Sequence, residues 1–124
     1  MASDQDTTVA SLRDQVQTFV NERDWEKFHS PKNISMALAV EAAELMEHFQ
    51  WISMDESRLP DSEKLEKIGE EIADVFCYIM AISNALNLDL TQTFCRKMDL
   101  NRKKYPTDEF KGRFGKDDPS PVQS

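Results

Sequence analysis

Apolar residues recur along this chain at helical intervals and almost nowhere with the two-residue alternation of strands. Leu12, Val16, Phe19 and Val20 mark a first helix from about Thr8, and Trp25 and Phe28 extend the same stripe to a break at His29-Ser30-Pro31. Ser30 suits an N-cap with Pro31 at the first helical position. From there Ile34, Leu38, Leu45, Phe49 and Ile52 carry a second helix through Trp51 or Ile52. A polar loop, Ser53 to Pro60, leads to Asp61 or Ser62 as the cap of a third helix. Its stripe is Ile68, Ile72, Val75, Phe76, Ile79, Ile82 and Leu86, with Gly69 inside it as a point of close packing and Asn87 as its stop. Asp89 and Gln92 resemble a capping box for a fourth helix, with Leu90, Phe94 and Met98 on its apolar side and Tyr105-Pro106 at its end. The pattern predicts an all-α fold, a four-helix bundle protomer in a single domain over residues 1–106. A polar N-terminal extension covers residues 1–7, and the Asp-, Gly-, Lys-, Pro- and Ser-rich stretch 107–124 reads as a disordered tail.

Two helices repeat one arrangement of acids. Glu41-Ala-Ala-Glu44 and Glu71-Ile-Ala-Asp74 each space two carboxylates i, i+3. With Leu38 and Ile68 as wheel origins, the first acid of each pair falls about 60° and the second about 120° to the same side. Both helices therefore present an acidic edge beside the core face, and antiparallel packing would set the edges across a groove. One reading is a pair of solvated edges, which suits Glu47, Glu63, Glu66 and Glu70 better. The other is a cation site, because acids so close to apolar surface are costly unless something positive lies between them. Four carboxylates without clustered His or Cys form an all-oxygen set, which suits Mg²⁺ or Mn²⁺ and not Zn²⁺. A ferritin-like di-iron site needs Glu-x-x-His on two helices, and the third helix has no His.

Charged residues make up 31% of the 124 and the formal net charge is −8. Such a surface repels long phosphate backbones, so nucleic acid polymers are not expected partners, whereas a small polyanion carried on a metal is compatible. No apolar run approaches the ~18 residues that span a bilayer. The polar, acidic start does not resemble a leader, and the expectation is a cytoplasmic protein with no membrane partner. Cys77 and Cys95 lack metal-ligand spacing and are expected to be buried free thiols.

Against the acidic background, Arg96 to Lys104 is basic, and Lys97, Asn101, Lys104 and Tyr105 share one helix face. They suit phosphate oxygens and a base or sugar edge, or they reflect the common bias of cations toward helix C-termini. Trp25 and Trp51, near the ends of the first two helices, either stack a base or close the end of the core.

Taken together, Glu41-x-x-Glu44 and Glu71-x-x-Asp74 resemble the signature of the MazG-type all-α nucleoside triphosphate pyrophosphatases. The flanks Glu22-Arg-Asp-Trp25-Glu-Lys-Phe28-His29, Phe49-Gln50-Trp51 and Lys97-Met-Asp99-x-Asn101-Arg102-x-x-Tyr105-Pro106 are similar to the dCTP pyrophosphatase branch, over about Leu12 to Pro106. The resemblance implies a homodimer or homotetramer and Mg²⁺-dependent cleavage between the α and β phosphates of dCTP and 5-modified dCTP. It implies metal ligation by Glu41, Glu44, Glu71 and Asp74, and in the mechanism that follows Glu44 is the candidate for orienting the attacking water. It implies a base pocket lined by Trp25 and Trp51, a sugar pocket shaped by Tyr78, and nucleotide contacts from Lys97, Asn101 and Tyr105. The chain departs from the animal members in having Val16 in place of a His and alanines in place of glycine between the first pair of acids. Other readings are a relative acting on dUTP, an oxidised nucleotide or phosphoribosyl-ATP, and a non-enzymatic helical dimerisation module.

Overall fold

A computed structural model describes residues 1–115 and 117–123. Among these residues the regular elements are helices and no strand occurs. They are α1 (Val9–Glu22), a 3₁₀ turn (Glu26–Phe28), α2 (Pro31–Glu47), α3 (Met54–Ser57), α4 (Ser62–Ala85), α5 (Leu90–Lys104) and α6 (Thr107–Phe110). The long helices α1, α2, α4 and α5 are the four that the apolar spacing predicts. Among the described residues no single helix is long and apolar enough to cross a membrane.

Caps explain most boundaries. Thr8 accepts a hydrogen bond from the Ser11 amide, Ser30 from Asn33 with Pro31 at the first position, Asp61 from Lys64 and Asp89 from Gln92. Each satisfies a donor that helix geometry leaves without a partner. At the other end of α4, Asn87 has φ +52°, its N–H donates to Asn84 O at 3.1 Å, and Leu88 N–H donates to Ser83 O at 2.9 Å. This paired C-terminal closure is the Schellman arrangement.

The same closure shortens α1. Asp24 has φ +54°, its N–H donates to Asn21 O, and Trp25 N–H donates to Val20 O, both at 3.1 Å. The helix therefore ends at Glu22, and Trp25 and Phe28 lie beyond it although they continue its apolar period. α2 stops at Glu47 rather than Trp51 or Ile52, because the backbone tightens into i to i−3 bonds from His48 and Phe49 to Leu45 and Met46. The expected polar loop contains α3, closed by a reciprocal capping box between Ser53 and Glu56.

Two compact units make up the chain, Met1–Leu88 and Asp89–Ser124. In the first, α4 packs on α2 and α1, and Val20, Ile34, Ile68, Met80 and Ala81 form the buried core. Much of the predicted stripe is not enclosed by it: Ile72 is 52% exposed, and Phe19, Phe76 and Leu86 are also exposed. Three helices offer too few layers to cover stripes this broad. Gly69 does not serve close packing within the chain, since a Cβ there would meet nothing within 4 Å.

In the second unit α5 is followed by α6, where Phe110 is buried and stacks edge-on against Tyr105 at 5.2 Å. Buried Asp118 accepts from the Phe114 and Ser120 amides, both at 2.8 Å. Local order therefore extends into a stretch whose composition predicts disorder. Both cysteines are free, as expected, but Cys95 is exposed. It lies about 140° around α5 from Leu90, off the apolar line of Leu90, Phe94 and Met98.

Candidate active site

Antiparallel packing of α2 on α4 gives the acids their geometry. Glu41 comes beside Glu71, while ten residues back along α2 Pro31 shares a cavity wall with Ala81 and Ala85 of α4. Glu41, Glu44 and Glu71 each offer a carboxylate oxygen within 4.8 Å of the other two. Glu41 Oε2 and Glu71 Oε2 are buried and lack a hydrogen-bond partner. Buried carboxylate oxygens are ordinarily satisfied, and two such atoms without partners in one acidic cluster are groups a cation would suit. The all-oxygen donor set fits a hard divalent ion.

The electrostatics agree. Burial, the neighbouring Glu44 carboxyl and the charges of Asp74 and Glu71 push the Glu41 carboxyl from its ordinary 4.5 up to about 7. Burial and the Glu44 charge also raise Glu71, with a smaller contribution from Asp74. Asp74 is exposed and is not among the three residues whose oxygens lie within 4.8 Å of one another, and its charge contributes to raising Glu41 and Glu71. One turn further along α4, half-buried Tyr78 is raised by burial and then by the Glu41 charge. Glu71, Asp74, Tyr78, Ala81 and Ala85 thus follow one face of α4.

At the far end of that face is a cavity of about 240 Å³, lined by Val16, Gln17, Val20, Glu26, His29, Pro31, Ala81, Asn84 and Ala85. The Asn84 amide is committed to α1: Arg13 Nε donates to its Oδ1 at 2.9 Å, and its Nδ2 donates to Arg13 O at 3.1 Å. Trp25 is close by, edge-on to Phe19 at 5.6 Å and 6.4 Å from the His29 ring. Ala81 lies ten residues beyond Glu71, about 15 Å along the helix.

Trp51 is not part of this group. It follows the C-terminal end of α2, a helix about 25 Å long, and is 87% exposed. One protomer does not bring Trp25 and Trp51 together. Lys97, Asn101 and Tyr105 belong to the second unit, on one face of α5. Lys97 and Tyr105 are exposed, whereas Asn101 is half-buried and donates to Met98 Sδ at 3.9 Å. The residues that spacing did not single out are Glu26 and Gln17, and His29 entered it only as part of the break after the first helix. They carry no period of their own and become neighbours only when α4 closes on α1.

The MazG-like family matches residues 36–115, a span that includes Glu41, Glu44, Glu71 and Asp74. The chain is 40% identical over 102 residues to dCTP pyrophosphatase 1 of Mus musculus, covering 80% of this chain and 59% of that protein. It is 38% identical over 101 residues to dCTP pyrophosphatase 1 of Homo sapiens, with 80% and 59% covered. The chain thus spans about three fifths of the length of these relatives. The crystal structure of a pyrophosphatase from Archaeoglobus fulgidus superposes with a TM-score of 0.71 at 34% identity, over 86% of this chain and 99% of that one. With more than half of its length matched and all four acids inside the match, the chain belongs to the MazG-like family.

Proposed function

We propose that this protein is a nucleoside triphosphate pyrophosphohydrolase that uses Mg²⁺ to hydrolyse dCTP and 5-modified dCTP to the monophosphate and pyrophosphate, clearing the cytoplasmic nucleotide pool. The observation that carries the reading is the trio Glu41, Glu44 and Glu71, with two buried oxygens that lack partners. The names of the relatives above supply the nucleotide and the bond cleaved.

Glu41, Glu44, Glu71 and Asp74 would hold the metal; Mn²⁺ would substitute. When bound, the ion neutralises triphosphate charge and polarises the phosphoryl oxygens. Glu44 accepts a hydrogen bond from the water that attacks the α-phosphorus, and pyrophosphate leaves with the bridging oxygen. Tyr78 lies along the sugar, between the acids and the cavity at the other end of the α4 face. That cavity, beside Trp25, receives the base, and the span of about 15 Å suits an extended nucleotide. Lys97, Asn101 and Tyr105 contact the nucleotide from α5.

The active form is a homodimer or homotetramer. Exposed Ile72, Phe76, Met36, Val40 and Met46 support this, being more apolar surface than a lone protomer ordinarily leaves in water. Trp51, too far from Trp25 within one protomer, reaches the base from a second one. Hydrolysis of dCTP in ¹⁸O-water tests the bond cleaved. Label in the monophosphate is the expected result, and label in pyrophosphate contradicts attack at the α-phosphorus.

A further inference from the structure

α1 and α4 face each other across the cavity through apolar side chains, Val16 and Val20 on one wall and the small Ala81 and Ala85 on the other. Helices that meet through alanine ordinarily close to about 8 Å between their axes. Such an approach would fill the cavity of about 240 Å³. One polar pair stands between the two helices. Arg13 Nε donates to Asn84 Oδ1 at 2.9 Å, and Asn84 Nδ2 donates to the Arg13 carbonyl oxygen at 3.1 Å. Among the described residues no other hydrogen bond joins α1 to α4. Arg13 shares a helix face with Val16, Gln17 and Val20, and Asn84 shares one with Ala81 and Ala85. The pair therefore lies on the same seam as the cavity. One bond ends on the Arg13 side chain and the other on its backbone. Together they fix both the distance and the rotation of α1, where a single bond would leave a pivot.

We propose that Asn84 and Arg13 are positioning residues, which hold α1 at the distance from α4 that keeps the cavity open for a planar base. The proposal rests on the proposed function and deepens it. Asn84 acts through α1 and not on the ligand, because Arg13 occupies its amide on both the donor and the acceptor side. Arg13 itself is not part of the cavity wall. Without the pair, α1 settles toward the alanines or rolls about its axis, and either motion moves Val16, Gln17 and Val20 against the base. The acids are set by α2 on α4, about 15 Å away along α4, and no α1 residue belongs to their cluster. Loss of the pair therefore affects recognition of the base and spares the phosphate end.

The test uses the full chain with Mg²⁺ and compares dCTP with 2-deoxyribose 5-triphosphate, which has the same sugar and phosphates and no base. Asn84→Ala should lower kcat/KM for dCTP about 10- to 100-fold and leave the base-free substrate within about twofold. The loss should come mostly through KM, because the pair is remote from the reacting phosphorus. A general loosening of the fold would lower both substrates alike. That outcome, or no change in either, would overturn the proposal and leave the proposed function standing. Arg13→Met removes the Nε donor and keeps the backbone acceptor, so it should act in the same direction and more weakly. Added to Asn84→Ala it should cost nothing further, and additive losses would overturn the proposal. Should Asn84→Ala fail to fold, Arg13→Met decides alone, and dCTP turnover equal to wild type would overturn the proposal. Calorimetry of dCMP and 2-deoxyribose 5-phosphate without metal is independent of turnover. Asn84→Ala should weaken dCMP alone, and equal affinity of the wild type for the two would overturn the proposal. No pyrophosphate release by the wild type from any nucleotide, with dCMP binding still weakened by Asn84→Ala, would refute the proposed function alone.

Discussion

Glu41 is the most perturbed acid in the site, and its perturbation has a thermodynamic consequence. In the metal-free chain its carboxyl titrates at about 7 instead of 4.5. Between those values the folded state holds a proton that the unfolded state has released, so stability falls as pH rises through this window. The melting temperature of metal-free protein should therefore drop from pH 5 to pH 8. Mg²⁺ should raise it more at pH 8 than at pH 5, since metal and proton compete for the same oxygens. Glu41→Gln should flatten both trends, and calorimetric scans of wild type and variant check this. Glu44→Ala and Glu71→Ala should each lower pyrophosphate release by about 10²- to 10³-fold or more while leaving the helical circular dichroism signal unchanged. Retention of near wild-type turnover by either would remove that residue from the site. The acids were legible in the sequence because i, i+3 spacing beside an apolar stripe defines an edge whatever lies opposite. What spacing could not show is that Asp74 stands outside the trio, since that depends on how the two helices are set against each other.

At the scale of elements, legibility depended on whether local chemistry and apolar period agreed. Ser30, Asp61, Asp89 and Asn87 are residues whose side chains or backbone preferences favour helix ends, and each sits at the boundary expected of it. The end of α1 was hidden because Trp25 and Phe28 keep the helical period while Asp24 turns the backbone left-handed. Asp tolerates that conformation better than most residues, but a single Asp among other charges is a weak signal. The cavity was hidden for a related reason. Its wall combines residues 16–31 with residues 81–85, and no local period links them. Within α4, Gly69 faces open space in the protomer. Gly69→Ala should therefore stabilise the protein by about 1 kcal/mol through helix propensity, measured by urea denaturation. A loss of stability or of assembly would mean that another chain approaches this position closely.

For the molecule as a whole, the apolar pattern promises more core than one chain encloses. Ile34, at 2% exposure, is among the few stripe residues fully withdrawn from water, while Ile72 remains half in solvent. A stripe that broad is explained if a second copy covers it. Sedimentation should find a dimer or tetramer, and Ile72→Glu should shift it toward monomer with loss of activity, because Trp51 would then be missing from the base. The chemistry proposed for this molecule lies on the α2–α4 edge, and pyrophosphate release from a panel of canonical and 5-substituted nucleoside triphosphates, with Mg²⁺ and with chelator, tests it. The expected result is Mg²⁺-dependent release that is strongest with dCTP and its 5-substituted forms. Release that persists in chelator, or none from any nucleotide in the panel, would contradict it.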